Sequence, residues 1–143
     1  AVLDFGLAAA NCALFDLATA IERNAVAWLA LDTGAAAIHP SIARALIEGY
    51  REIRPLARDD LQLLADLLPL VHVDFALSEV EYFHAITQST ASADVAYDTF
   101  LRGHAAWFCT SAGQALLQTI RALATGAQGD SAGRAHSCFN THS

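Results

Sequence analysis

The spacing of apolar and polar residues predicts helices along most of the chain. Near the start, apolar residues recur at steps of three and four, at Leu14, Leu17, Ile21, Ala25 and Trp28. This period is typical of a helix with one buried face, and the polar triplet Glu22, Arg23 and Asn24 is predicted to lie on the other side. We place a first helix at about 15–31, ended by residues 32–34.

A second and a third helix follow from the same pattern. Pro40, which is tolerated in a first helical turn, opens a segment that Pro55 stops. One face of this second helix carries Ile42, Leu46, Tyr50 and Ile53. The third helix is predicted at about 59–88 and is apolar on much of its circumference, so it should be central and the most buried. Pro69 is expected to kink or split it.

The remaining pattern predicts two more helices and a tail. A fourth helix follows a Ser- and Thr-rich cap region and carries on one side Tyr97, Leu101, His104 and Phe108. A fifth ends at Gly126, and the polar residues 126–143 are expected to form a flexible tail. The expected fold class is mainly α, with about five helices after one short N-terminal strand and residues 1–125 in one domain.

Composition and charge argue against two classes of partner. The formal net charge is −7, with eight Arg and no Lys, so no basic stripe is available to neutralise a phosphate backbone. No apolar run approaches the length that a membrane-spanning helix needs. We therefore expect neither nucleic acid nor a membrane as partner. The widely spaced Cys12, Cys109 and Cys138 lack a CxxC pair and are typical of reduced thiols in a cytoplasmic protein.

Two carboxylates near the N-terminus carry the candidate chemistry. The segment "AVLDFG" has the pattern of a short apolar strand that ends at Asp4. In the Asp-Phe-Gly arrangement of kinases, the Asp ligates the Mg²⁺ that bridges the nucleotide phosphates. A simple acidic turn is the alternative. Asp16 follows twelve residues later, in "LFDLATAI", where the helix macrodipole alone also favours an acidic residue.

Taken together, "VLDFGLA" and "LFDLA" resemble the aminoglycoside phosphotransferase and choline kinase family of small-molecule kinases, including its homoserine kinase-like and hydroxylysine kinase-like branches. The spacing of the two elements matches, and the helical remainder resembles the family's C-terminal lobe. The resemblance implies ATP-dependent phosphate transfer to a hydroxyl of an amino alcohol, amino acid or aminoglycoside-like substrate. It also implies that Asp4 binds Mg²⁺ at the ATP site and that Asp16 supports the catalytic loop by hydrogen-bonding its backbone.

Other parts of that family's machinery do not occur in this sequence. In the family, the nucleotide-binding lobe, a phosphate-contacting Lys and a His-Gly-Asp catalytic loop all come before the Asp-Phe-Gly position. This chain has no Lys, and its "NCA" at 11–13 departs from the Gly-Asp-Pro of many members. We expect the missing elements to belong to upstream sequence, and we expect these 143 residues to be inactive alone.

An acidic face is also predicted on the third helix, formed by His72, Asp74, Glu79 and Glu81. Helical-lobe carboxylates of the related kinases often meet an amine-bearing substrate, so Asp74 and Glu81 are candidate substrate-binding residues. A solvated helix face is the alternative. Glu81 and His84 form one Glu-x-x-His pair, whereas a di-iron bundle needs two.

Two other functions stay open at this point. The chain could be a non-catalytic helical binding module with a kinase-lobe fold, forming a homodimer through apolar surface around the first helix. A metal-binding helical bundle is the third option. We interpret Trp28, Trp107 and Phe108 as core contacts, His104 as a core histidine and Cys109 as a small buried residue.

Overall fold

The computed structural model describes residues 12–126 of the chain. The predicted N-terminal strand with Asp4 and the predicted tail lie outside the described residues. The described part is mainly helical, as predicted, and has no strand. Its helices are α1 (Ala13–Ala25), α2 (Pro40–Ile53), α3 (Arg58–Glu81), α4 (Thr90–Val95), α5 (Ala105–Trp107) and α6 (Ser111–Gly126).

Three non-α segments connect or extend these helices. A 3₁₀ segment, Trp28–Ala37, links α1 to α2, a π-helical segment, Tyr82–Ile86, continues α3, and a second π-helical segment, Ala96–His104, joins α4 to α5. We call each helix, together with any π-helical segment that continues it, a rod. Residues 12–126 form five rods, in agreement with the predicted number: α1, α2, α3 with its π segment, the fourth rod from α4 through the second π segment to α5, and α6.

The first helix ends earlier than its apolar period predicts. Val26 adopts an extended conformation with φ −128° and ψ 124° and forms an isolated antiparallel bridge with Ile38. Two backbone hydrogen bonds close this bridge, from Ala27 N–H to the Ala37 carbonyl at 2.8 Å and from His39 N–H to the Ala25 carbonyl at 2.8 Å. Trp28 thus belongs to the 3₁₀ segment, although its spacing continues the helical pattern.

The second helix has the predicted limits, but the residues that it buries are not those of the predicted apolar face. Proline occupies its first turn, and Arg54 is extended before Pro55, as expected of a residue that precedes proline. The buried residues are Ala43 and Ile47, whereas Ile53, predicted to share the buried face, is 89% exposed. The period located the helix, but the small Ala43 gave no apolar signal for its buried side.

The third helix is the centre of the fold. α3 packs against α1, α6 and the rod formed by α4, the second π segment and α5. Of the predicted kink or split at Pro69, the split does not occur, because one helix continues through this residue. The fully buried side chains of the core come from α1, α2, α3 and α6 and include Ile21, Ile47, Leu61, Leu64, Leu68, Leu116 and Ile120. Each contributes about 1.5–3 kcal/mol through the apolar surface that it removes from water.

The fourth rod shows how π geometry changes a predicted face. His104 and Phe108 are buried as predicted, but Tyr97 is about half exposed. In a π segment each hydrogen bond spans five residues, so the side chains advance around the axis more slowly than the α period assumes. Cys109, predicted to be buried, is exposed because it lies in the turn between α5 and α6.

Candidate functional site

A buried polar cluster joins three of the rods. Glu22 on α1 and His72 on α3 are each 1% exposed, and the Glu22 Oε1 atom lies 2.7 Å from His72 Nδ1. His72 Nε2 lies 3.1 Å from the backbone carbonyl oxygen of Phe100 on the fourth rod. We call Glu22, His72, His104 and Trp28 the Glu22–His72 cluster. It ties α1, α3 and the fourth rod together by polar contacts inside the apolar core.

Hydrogen-bond chemistry limits the proton positions in this cluster. The Phe100 carbonyl can only accept, so His72 Nε2 must carry a hydrogen and donate it. One further proton then lies between His72 Nδ1 and Glu22 Oε1. The pair is either an imidazolium facing a carboxylate or a neutral imidazole facing a protonated carboxyl.

Trp28 and His104 complete the cluster by aromatic packing. The Trp28 ring lies 4.1 Å from the His72 ring and 4.9 Å from the His104 ring, centroid to centroid. The Trp28 indole N–H donates to the Glu22 carbonyl oxygen at 3.2 Å. This explains the early end of α1, because the turn after Ala25 lays the indole over both histidines. The interpretation of His104 as a buried histidine is confirmed.

The pKa of His104 is shifted by its surroundings. Burial lowers the pKa below its ordinary value of 6.5, the neighbouring His72 lowers it further, and Glu22 opposes both effects. His104 is therefore neutral at physiological pH. A neutral ring is what this apolar and aromatic environment accommodates at least cost.

The second oxygen of Glu22 is less well satisfied. Arg23 Nε lies 3.3 Å from Oε2 and forms an ion pair, but its direction is not that of a hydrogen bond, so Oε2 has no hydrogen-bond partner among residues 12–126. The Arg23 guanidinium instead stacks 3.4 Å above the Phe75 ring. Arg23 thus covers the outer edge of the cluster, and its partial exposure limits the strength of this ion pair.

The sequence pattern does not predict this cluster. It predicts Glu22 on the polar side of the first helix and His72 on an acidic face with Asp74, and both predictions are wrong because both side chains are buried. The sequence does carry one indication that Glu22 is buried. Its neighbours on the same helix face, Ala18 four residues before it and Ala25 three residues after it, are small and apolar. Small residues on that face leave room for α3 to approach. Because the cluster is closed to solvent, it can hold helices together but offers no access to a dissolved substrate.

The predicted phosphotransferase residues lie at the surface or outside the described range. Asp4 lies outside the described residues. Asp16 is exposed in the first turn of α1 and lines a cleft of about 420 Å³ between α1 and α2. Small residues form part of this cleft, including Ala20, Ala45 and Gly49. Within the described part of the chain, the Asp16 carboxylate has no hydrogen bond or ion pair.

The two candidate substrate residues share an exposed side of α3. Asp74 and Glu81 stand seven residues apart, two helical turns or about 10 Å along the axis, and both are exposed. No hydrogen bond or ion pair between described residues joins either to Asp16. Glu79, the other carboxylate of the predicted face, is half-buried and lines a separate cleft with Phe83 and Phe100.

The described residues hold no group of three His, Cys, Asp or Glu side chains that could bind a metal ion, and Glu81 and His84 are exposed without a third such neighbour. None of the helices between residues 12 and 126 has the length and apolar character needed to span a bilayer.

Comparison with known proteins returns no match to this chain among family models, curated proteins or solved structures.

Proposed function

We propose that this chain is the helical lobe of a cytoplasmic, ATP-dependent phosphotransferase acting on a hydroxyl group of a small amine-bearing metabolite. An amino alcohol, an amino acid or an aminoglycoside-like compound is the substrate class. The supporting sequence feature is the pair of elements around Asp4 and Asp16, twelve residues apart.

The observation that carries the proposal is the state of the Asp16 carboxylate. It is exposed at the first turn of α1, beside the cleft between α1 and α2, and has no partner in residues 12–126. Asp16 is thus available to accept backbone N–H groups of a catalytic loop.

The two aspartates would contribute in different ways. Asp4 would bind Mg²⁺, which neutralises charge on the phosphates of ATP when it is bound. Asp16 would hold the loop that carries the catalytic base, so it is a positioning residue. The described residues provide no metal-binding group of their own, so further ligands of the ion would lie outside them.

Substrate recognition would involve the exposed carboxylates of α3. Asp74 and Glu81 would attract the ammonium group of the substrate, while its hydroxyl group is presented to the catalytic loop. Reversal of both charges, Asp74→Lys with Glu81→Lys, should raise the KM for an amine-bearing substrate in a catalytically complete protein. Unchanged KM values would exclude these residues from substrate binding.

The experiment measures ADP release with ATP and Mg²⁺ for two proteins, these 143 residues and the same reading frame extended upstream. We expect no turnover by the shorter protein and turnover by the longer one, abolished in Asp4→Ala and strongly reduced in Asp16→Ala. Glu52→Ala, an exposed change on α2, is the matched control and should be neutral. No turnover of any amine-bearing alcohol by the extended protein would contradict the proposal. Turnover by the shorter protein that Asp4→Ala abolishes would overturn its expected inactivity.

A helical interaction module is the second candidate, and one observation favours it. Leu63, Leu70 and Leu77 stand seven residues apart on α3 and are 49%, 59% and 51% exposed. This spacing places them in one stripe along the helix, as in helices that pair with each other. The occupant would be the α3 stripe of a second copy.

Light scattering coupled to size exclusion tests this alternative. The interaction module predicts a dimer that Leu70→Glu converts to a monomer, whereas Ile53→Glu, at a still more exposed apolar position on α2, leaves the dimer intact. A monomer at all accessible concentrations would exclude the homodimer.

A further inference from the structure

An open cleft lies between the end of the α3 rod and the rod that α4 and the second π-helical segment form. We call it the Glu79 cleft. It has a volume of about 530 Å³ and is lined by Glu79, Phe83, Ala91, Ser92, Val95 and Phe100. Phe83 belongs to the π segment after α3, and Phe100 to the π segment after α4. Segments of this kind occur frequently at functional sites, because the irregular turn re-aims side chains that an α-helix would place elsewhere.

The turn between the two rods fixes the mouth of this cleft. Gln88 has φ 54°, in the left-handed region that residues other than glycine adopt rarely. Ser89 accepts a hydrogen bond from Ser92 N–H at 3.4 Å, and the Ser89 hydroxyl donates to the Ser92 hydroxyl oxygen at 2.8 Å. Ser89 thereby caps the start of α4, which carries the cleft residues Ala91 and Ser92.

The Glu79 cleft contains a negative charge that no described lining residue balances. Glu79 is half-buried, and its carboxylate forms no hydrogen bond or ion pair in the described structure. Among the described residues, no Arg or His lines the cleft, and the lining residues other than Glu79 and Ser92 are apolar. Glu79 is thus the charged group among the described residues that line the cleft, and it would attract a cation there.

The two phenyl rings narrow the class of cation. Aromatic faces attract ammonium and guanidinium groups, and the same chain already stacks the Arg23 guanidinium 3.4 Å above Phe75. A divalent metal ion needs several oxygen or nitrogen ligands, whereas the cleft offers one carboxylate and one hydroxyl. Anions are repelled by Glu79, and a neutral ligand would leave the carboxylate unpaired.

We infer that the Glu79 cleft binds a small organic ammonium ion, with Glu79 as the counter-ion and Phe83 and Phe100 as the aromatic walls. The volume is within the range of small-molecule pockets. This site depends on residues 79–100 alone, so it stands or falls independently of the proposed phosphotransferase activity. Glu79 lines the cleft, whereas the candidate substrate residues Asp74 and Glu81 do not, so the ammonium site and the proposed substrate site use different carboxylates.

The experiment uses the full 143-residue chain, labelled with ¹⁵N, and benzylammonium as the probe. Benzyl alcohol, which has the same ring and no charge, is the neutral control ligand. We expect saturable shifts of the amide signals of residues 79–100 with benzylammonium and weaker binding of benzyl alcohol. Glu79→Gln should weaken the binding of benzylammonium about three- to tenfold, and Phe83→Leu should weaken it by a similar factor.

Glu52→Gln is the matched charge control, because it removes one exposed carboxylate on α2 and should leave the affinity unchanged. Equal binding of benzyl alcohol and benzylammonium, or an affinity that Glu79→Gln and Glu52→Gln change alike, would overturn the inference. Shifts confined to residues outside 79–100 would do the same. Because the test involves no ATP, a failure of phosphate transfer cannot be confused with a failure of the ammonium site.

Discussion

At the scale of single residues, the fold depends on a buried acid–base pair. Glu22 and His72 are separated by 50 positions in the sequence and meet at 2.7 Å inside the core. Such a pair specifies which faces of two helices come together, because another rotation of α1 would leave His72 buried without its partner. The pattern of polar and apolar residues cannot show this, because a buried Glu and an exposed Glu look alike in the sequence.

Removal of one member of the pair should be costly. Glu22→Ala leaves His72 Nδ1 buried opposite a cavity, and we expect a loss of about 3–5 kcal/mol in the free energy of unfolding. Glu22→Gln should cost much less, because its amide can donate to Nδ1 of a neutral His72. Urea denaturation measures both. Asn24→Ala, an exposed change on the same helix, should cost little, and a Glu22→Ala effect as small as that would contradict the role of the pair.

The lowered pKa of His104 predicts a pH dependence of stability. The unfolded histidine titrates near 6.5, and the folded one at a lower pH. As the pH falls through 6.5, the unfolded state therefore binds a proton that the folded state does not, and stability decreases. The contribution of His104 is fully present above about pH 6.5 and is lost as the pH falls toward the lower, folded pKa.

Urea titrations at several pH values between 7.5 and 5 test this dependence. His104→Gln should flatten the decrease between pH 7 and 5, because the groups that face this position, His72 and Glu22, remain in both proteins. His84→Gln, on the exposed end of the α3 rod, should leave the slope as it is. An identical slope in wild type and His104→Gln would show that His104 does not titrate differently on folding.

At the scale of elements, the spacing of apolar residues was sufficient to predict the helices but not their ends or rotations. The limits of α2 agree because two prolines mark them, at positions 40 and 55. The end of α1 was wrong because Trp28 is placed by its packing on His72 and His104, a tertiary contact that local spacing cannot encode. The exposed position of Tyr97 has a different cause, because the π-helical turns of the fourth rod have another period than the α-helix that the spacing predicts.

The tight turn between α5 and α6 gives a prediction at this scale. A Cβ atom at Gly113 would lie 2.5 Å from the Trp107 carbonyl oxygen and 2.7 Å from the Phe108 Cα atom, both backbone atoms that cannot rotate away. Gly113→Ala should therefore destabilise the chain by about 1–3 kcal/mol. Gly49→Ala is the control, because it meets nothing within 4 Å inside α2 and should stabilise the helix by about 0.5–1 kcal/mol. Thermal unfolding of the two variants distinguishes them, and equal effects would contradict the close contact.

At the scale of the whole molecule, the central helix α3 organises the fold, and two surface features suggest function: the exposed Asp16 at the start of α1 and the Glu79 cleft. The apolar circumference of α3 predicted its central position, and its buried residues confirm it. The candidate site was less predictable. Asp16 was expected at a helix start and lies there, but the Glu79 cleft arises from two rods that meet only in three dimensions, so no local motif announces it. The assignment as a phosphotransferase lobe stays a prediction.

The most direct test of that central claim is the sequence of the DNA immediately upstream of the codon for Ala1. The account predicts an open reading frame that continues upstream in frame and encodes a Lys-containing nucleotide-binding lobe and a His-Gly-Asp loop. A stop codon followed by a start codon directly before Ala1 would contradict it, and the helical interaction module would then be the better description of this protein.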